Sequence, residues 1–191
     1  MDMPPRQRLS REAWATAALR ALTAGGVAAV AVEPLAAALG TTKGSFYWHF
    51  ADREALVRAA LELWEQEQTD AVIDHLGHLA DPRERLRVLL DLVLTHSDDR
   101  DPVAQLFRDI AHPEVAAAVR RVTSRRIDFV AGELCSTGMP RAEARRRAAV
   151  AVAAYVGWWQ LHAVLPEDAP VGAAAREHAQ VLWLICEAAL A

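Results

Sequence analysis

Two cysteines in 191 residues, Cys135 and Cys186, stand too far apart for a metal-type motif and too few for a disulfide scaffold. They suit a reducing compartment. Glycine and proline are also scarce, nine of each, which excludes a turn-dense β-sandwich and favours long helices with few breaks. Lysine is nearly absent: of 21 basic side chains only Lys43 is one. No leader-like apolar core follows Met1-Asp2-Met3-Pro4-Pro5-Arg6, so no export signal is expected and a cytoplasmic protein is. The most apolar stretch, 148–165, is alanine-rich and interrupted by Gln160 and His162. A membrane span needs roughly 20 strongly apolar residues, so this reads as a buried bundle helix.

What is present is helical periodicity throughout, with no sustained two-residue alternation. Hydrophobic residues make up 53% and charged residues 24%, enough for a real core in a chain of this length. The net charge of −4 by itself argues against a nucleic-acid partner. It averages two unlike parts: residues 1–60 carry +2 and the remainder −6.

Local signals place the elements. Ser10 is a partial N-cap for a first helix with Ala13, Ala17, Leu19 and Leu22 on its apolar side, stopped by Gly25-Gly26. A short helix covers 32–39, with Pro34 tolerated in its first turn, and Gly40 ends it. A second short helix is predicted over 42–49, and Asp52 caps a long one from Arg53 to about Leu76. Prolines 82, 102, 113, 140 and 170 mark later helix starts. The Pro82 helix carries the stripe Leu86, Leu89, Leu90, Val93 and Leu94. The Pro140 helix runs to about Leu165 and the last one ends at Leu190. The expected fold is all-α, with about nine helices.

Residues 32–50 read as a helix-turn-helix. Ala36 permits a close crossing, Gly40 permits the sharp turn, and Leu35, Leu39 and Phe46 are spaced to bury. Left outside are Thr42, Lys43, Gly44, Ser45, Tyr47, Trp48 and His49. Hydroxyls and a cation lie at the start of the second helix, where phosphate oxygens are favoured. Lys43, Ser45 and Trp48 are placed for base edges, and Tyr47 and His49 for phosphates. The alternative is a packing hairpin. Against it, the aromatics Phe46, Tyr47, Trp48 and Phe50 cannot all point inward from one short helix.

The run Lys43-Gly44-Ser45-Phe46-Tyr47-Trp48-His49-Phe50, the preceding glycines Gly26 and Gly40 with Leu35-Ala36 between them, and the following Asp52-Arg53-Glu54-Ala55-Leu56 resemble the DNA-binding module of TetR-type transcriptional regulators. The resemblance covers about 50 N-terminal residues. It implies a helix-turn-helix domain of three helices at 1–52 and a helical effector-binding and dimerisation domain at 53–191. It also implies phosphate contacts from Tyr47, His49 and Arg53, and base-edge contacts from Thr42, Lys43, Gly44, Ser45 and Trp48. Val30 and Ala31 depart from the family's usual hydroxyl at the start of the second helix, which removes a cap and one phosphate contact. Thr41 and Pro34 depart as well.

In the C-terminal part, Ala149, Val152, Ala153, Val156 and Gly157 form a small-residue face, joined by Val181, Leu182 and Ile185 of the last helix, as an expected dimer interface. Its alternative is an intramolecular core. Trp64, Leu89, Val93, His96, Phe107, Ile110, Phe129, Tyr155, Trp158 and His162 are candidates to line an apolar pocket for an apolar or aromatic effector. Ordinary packing is the alternative for each of them. No nucleophile elbow, zinc-protease motif, phosphate loop or di-iron pair appears, so neither enzymatic activity, nor a cofactor, nor a metal is expected. His75 and His78, three residues apart, read as a solvated helix end, and the arginine runs at 120–121, 125–126 and 145–147 as solvated faces. The function expected is a dimeric repressor of a palindromic double-stranded operator, released by a small molecule. A helical ligand-binding or protein-interaction bundle without an operator is the rival.

Overall fold

A computed structural model describes residues 10–95, 103–175, 177, 178 and 180. The described residues are all-α, with no strand. In chain order the helices are α1 (Arg11–Ala29), α2 (Val32–Ala38), α3 (Lys43–Phe46), α4 (Arg53–Glu65), α5 (Ala71–Gly77), α6 (Pro82–Thr95), α7 (Val103–Arg108), α8 (Pro113–Ser136) and α9 (Arg141–His162). A π turn, Gln66–Asp70, joins α4 to α5, and a 3-10 turn spans Gly172–Ala175. None of the described helices is long and apolar enough to cross a membrane.

The caps sit where the sequence puts them. Ser10 accepts from the Ala13 amide at 3.1 Å and Asp52 from the Ala55 amide at 2.7 Å. Gly25 and Gly26 leave helical geometry, Gly26 at φ +69°, and one further turn follows the kink before α1 ends. The buried stripe of α1 is Trp14, Ala15, Ala18 and Leu22, with Ala17 and Leu19 at its margin. That is one position round from the expected line through Ala13. The indole of Trp14, fully buried, sets the orientation of the helix, because it carries far more apolar area than any alanine beside it.

One core runs from the N-terminal helices into the body. Trp14, Leu22, Val30, Leu35, Phe46, Leu56, Val57, Leu61 and Trp64 pack together with Leu106 of α7 and Val115, Val119 and Val122 of α8. Helix α4 lies in the middle of this core. The predicted single helix from Arg53 to Leu76 is interrupted only by the π turn, whose Thr69 is buried while Gln66, Glu67 and Gln68 face out.

The rest of the body is built on the α8–α9 hairpin. Pro113 opens α8 at a position where its missing N–H costs nothing, and Gly138, at φ +100°, closes it. Helix α9 turns Ala144, Ala148, Val152 and Trp159 inward. Helix α6 buries Leu86 and Leu94 and half-buries Leu89, Leu90 and Val93. Arg85, at its start, donates to Leu79 O at 2.7 Å and, through Nη1, to both oxygens of Glu133 at 3.1 and 2.9 Å, fastening the α5–α6 link to α8. Helix α9 stops at His162, three residues before the predicted end. Beyond it the chain folds back, held by Trp158 Nε1 donating to Pro170 O at 3.1 Å and by His162 Nδ1 donating to Ala169 O at 2.9 Å.

Candidate nucleic-acid interface

The interface begins with an uncapped helix. Ala31 occupies the N-cap of α2 and makes no side-chain bond there, as the missing hydroxyl requires. Gly40, at φ +63°, ends the segment, and the Thr41 amide returns to Ala36 O at 2.9 Å, closing α2 with a left-handed C-cap. Thr42 is extended and its Oγ1 accepts from the Ser45 amide at 3.3 Å, which starts α3. Helix α3 is one turn long. The predicted helix over 42–49 instead continues beyond Phe46 as tight turns, with His49 N donating to Phe46 O at 2.9 Å.

Phe46 is the single buried residue of α3. Its ring meets the edge of Trp14 at 5.5 Å and stacks on Phe50 at 5.6 Å. With Phe46 pointing in, its neighbours must point out: Tyr47 is 58% and Trp48 88% exposed. Thr42, Lys43 and Gly44 are exposed too, and Ser45 and His49 half-buried. The aromatics thus divide, two into the core and two into solvent, so the packing-hairpin alternative fails for Tyr47 and Trp48.

Two cations are engaged within the protein. Lys43 Nζ lies 2.8 Å from Glu33 Oε1 of α2. The hydrogen bond from Lys43, with its charge, holds the Glu33 carboxyl below the usual carboxylate range, and the same contact raises Lys43. Arg53 differs from the expectation of a phosphate contact. Its Nε donates to Val30 O at 2.7 Å, its Nη2 to Val27 O, and its Nη1 reaches Glu54 at 2.9 Å. The guanidinium therefore gathers the carbonyls of Val27 and Val30 at the α1–α2 corner, where the helix kinks and ends, and Val27 O also accepts from the Val30 amide at 3.1 Å. A basic residue beginning α4 signals this role no differently from a phosphate ligand, so the sequence does not separate the two.

The other expected sites scatter. Trp64 is buried in the shared core, with Phe107 at its edge. Arg126 of α8 lies over both the Trp64 ring, at 5.8 Å, and the Tyr155 ring, at 5.1 Å, while donating to Thr69 Oγ1 and Gln68 O. Val93 and Trp158 pack elsewhere, on Leu94 and Ala175. Phe129 and Leu89 are half-buried. Ile110 is 44% exposed, because α7 ends at Arg108 and the turn carries Ile110 off the stripe of Leu106 and Phe107. His96 lies outside the described residues. The sequence reading missed Arg126: its neighbour Arg125 pairs outward with Asp70, and one further step round the helix turns Arg126 between the rings. His75 and His78 are exposed, as read.

On α9, Ala149 and Ala153 are exposed and Val156 and Gly157 half-buried. Val152 turns inward and leaves the expected face: it continues the line of Ala144 and Ala148 at helical spacing. Val150 and Leu161 also face outward on α9, and Val164 does so in the turn after it. Val181, Leu182 and Ile185 lie outside the described residues.

Residues 16–72 match the family described as bacterial regulatory proteins, tetR family. The chain's N-terminal module is of the TetR type. Solved structures share the TetR-type fold over nearly the whole length. A TetR transcriptional regulator from Legionella pneumophila superposes with a TM-score of 0.77 at 16% identity, covering 96% of this chain and 97% of its own. A regulator from Saccharomonospora viridis, in complex with choline, does so with 0.73 at 22% identity, covering 90% and 92%. AibR, in complex with isovaleryl coenzyme A and operator DNA, follows with 0.66 at 19% identity, covering 94% and 97%. No curated protein sequence matches the chain. The TetR-type family is one of regulatory proteins, and the fold class is the one its sequence implies.

Proposed function

We propose that this protein is a cytoplasmic, dimeric, sequence-specific repressor that lays α3 and the turn after it into the major groove of a palindromic operator. We further propose that a small molecule releases it. The carrying observation is the division of the aromatics at 46–50: Phe46 and Phe50 lock the module while Tyr47 and Trp48 stand in solvent. Gly44 supports it. Its φ is ordinary and an added Cβ would meet nothing closer than Thr42 Oγ1 at 3.6 Å, so the protein's own packing does not require glycine there. A partner approaching the backbone would. The domain division follows as a module at 1–52 and a body at 53–191, with α4 packed on both.

The dimer is supported by the outward apolar side chains of α9 and of the turn after it, where Val150 is 68% and Val164 69% exposed, a surface suited to a symmetry mate. For the effector, an apolar or aromatic molecule is proposed, with Trp64, Tyr155 and Arg126 as its first candidates for contact. The Trp64 Nε1 is buried with no partner among the described residues and Arg126 supplies further donors. AibR and the Saccharomonospora viridis regulator show that similar folds hold ligands as different as isovaleryl coenzyme A and choline. A thermal-shift screen tests this, since binding to the native state raises the melting temperature.

The primary test is a mobility shift on DNA selected from a random duplex pool. Retention should fall steeply with salt; a chain that selects no sequence refutes the reading. Trp48→Ala should leave the melting temperature unchanged, because the indole is in solvent, yet lower operator affinity by about 10–100-fold if it contacts a base edge or methyl. Glu33→Gln should tighten DNA binding, because it removes a carboxylate from the face and releases Lys43. Lys43→Ala should weaken binding, and the double variant should fall between the two. A Glu33→Gln protein that binds no tighter at low salt places the pair outside the interface.

A further inference from the structure

At the kink of α1, Gly25 and Gly26 leave the Val27 N–H without its helical acceptor. The acceptor found instead comes from 82 residues away: Asp109 Oδ2, at 2.7 Å, from the turn between α7 and α8. Gly26 makes the approach possible. A Cβ there would stand 2.3 Å from Asp109 Oδ2 and 2.6 Å from Gln105 Nε2, and the φ of +69° already disfavours a side chain.

The contacts continue from Val27 around a closed path. The Val27 carbonyl accepts from Arg53, which also holds Val30 O at 2.7 Å and Glu54 at 2.9 Å. The other oxygen of Glu54 lies 3.2 Å from His112 Nε2. The His112 amide donates to Asp109 O at 2.9 Å, which returns to the start. Beneath this ring Leu106 is fully buried in the core that contains Val27 and Leu56.

We propose that this ring is a clamp by which the α7–α8 turn fixes the angle of the reading module relative to the body, with Asp109 as its positioning residue. The proposal rests on the DNA-reading function above. A carboxylate bonded to a backbone N–H over 2.7 Å tolerates little displacement, since hydrogen bonds weaken steeply with distance and angle. Any shift of α7 against α4 must therefore either carry the α1–α2 corner with it or break the bond. In a dimer, the angle of each module sets the distance between the two reading helices and hence the half-site spacing.

Asp109→Ala removes the acceptor; Asp109→Asn keeps an amide oxygen of the same size at the same place. Two measurements on the full chain separate clamp from mere stability. Amide hydrogen exchange should show Val27 losing protection in Asp109→Ala and keeping it in Asp109→Asn. DNA selected from a random duplex pool should show one sharp half-site spacing for the wild type and for Asp109→Asn. For Asp109→Ala it should show a broadened spacing, with about tenfold weaker binding, the fold-change expected for one charge-assisted bond. If Asp109→Ala does not fold, Glu54→Ala, at a partly exposed position, opens the same ring on its other side and should broaden the spacing too. Unchanged Val27 exchange, or a lower melting temperature with the spacing still sharp, overturns the clamp. A wild type that selects no DNA instead refutes the DNA reading on which the clamp depends.

Discussion

Phe46→Ala will destabilise the protein by about 3–5 kcal/mol, the cost of deleting a fully buried aromatic side chain, and will abolish DNA binding with it. Helix α3 has four residues, far below the length at which a helix is stable alone. Apart from the Thr42 cap and the exposed Lys43–Glu33 pair, its position rests on one buried ring. That ring touches Trp14 of α1 and Phe50 beyond the turn, so its removal leaves a cavity between three segments that have little else to collapse onto. Urea unfolding followed by tryptophan fluorescence measures the first effect and a mobility shift the second. Phe46→Leu should recover part of both. A Phe46→Ala protein with the wild-type denaturation midpoint would show that α3 is held by something other than this contact.

Arg85→Ala is expected to cost about 3 kcal/mol, since it strands a charge rather than merely deleting a contact. Glu133 is 8% exposed on α8, and both its oxygens receive Arg85 Nη1. Without the guanidinium a buried carboxylate keeps its desolvation penalty and loses its counter-charge, and Leu79 O loses a donor as well. The melting temperature should fall by roughly 6–12 °C for a chain of this size. Arg85→Met combined with Glu133→Leu should regain most of the loss, because apolar side chains fill the site without an unpaired charge. Because the pair lies far along α8 from the N-terminal module, operator preference should stay the same. If the single variant melts with the wild type, the pair contributes nothing net.

What the sequence discloses is local. Ser10, Asp52, Gly40 and Pro113 act within a few residues of themselves, through caps and backbone angles, and each marks its helix end correctly. The outward Tyr47 and Trp48 were legible for a related reason: neighbouring residues on one short helix cannot share one face. Partners distant in sequence are not legible in this way. Nothing around Arg53 distinguishes a side chain that reaches DNA from one that gathers the carbonyls of Val27 and Val30, and nothing around Asp109 announces an amide 82 residues away. A single step of helix phase decides the remaining differences. Trp14 rather than Ala13 leads the buried face of α1, Val152 falls inside while Ala153 falls outside, and Arg126 turns in where Arg125 turns out.

The π turn at Gln66–Asp70 acts on this same phase. Along an uninterrupted α-helix Leu76 would point roughly 120° away from Trp64, toward water. A π turn takes up one additional residue without advancing the wheel. The remaining mismatch is then only about 20°, and Leu76 is fully buried, as Trp64 nearly is. The segment therefore behaves as an insertion without a frameshift: one residue is carried as a bulge, and every side chain downstream keeps the heading it would have had without it.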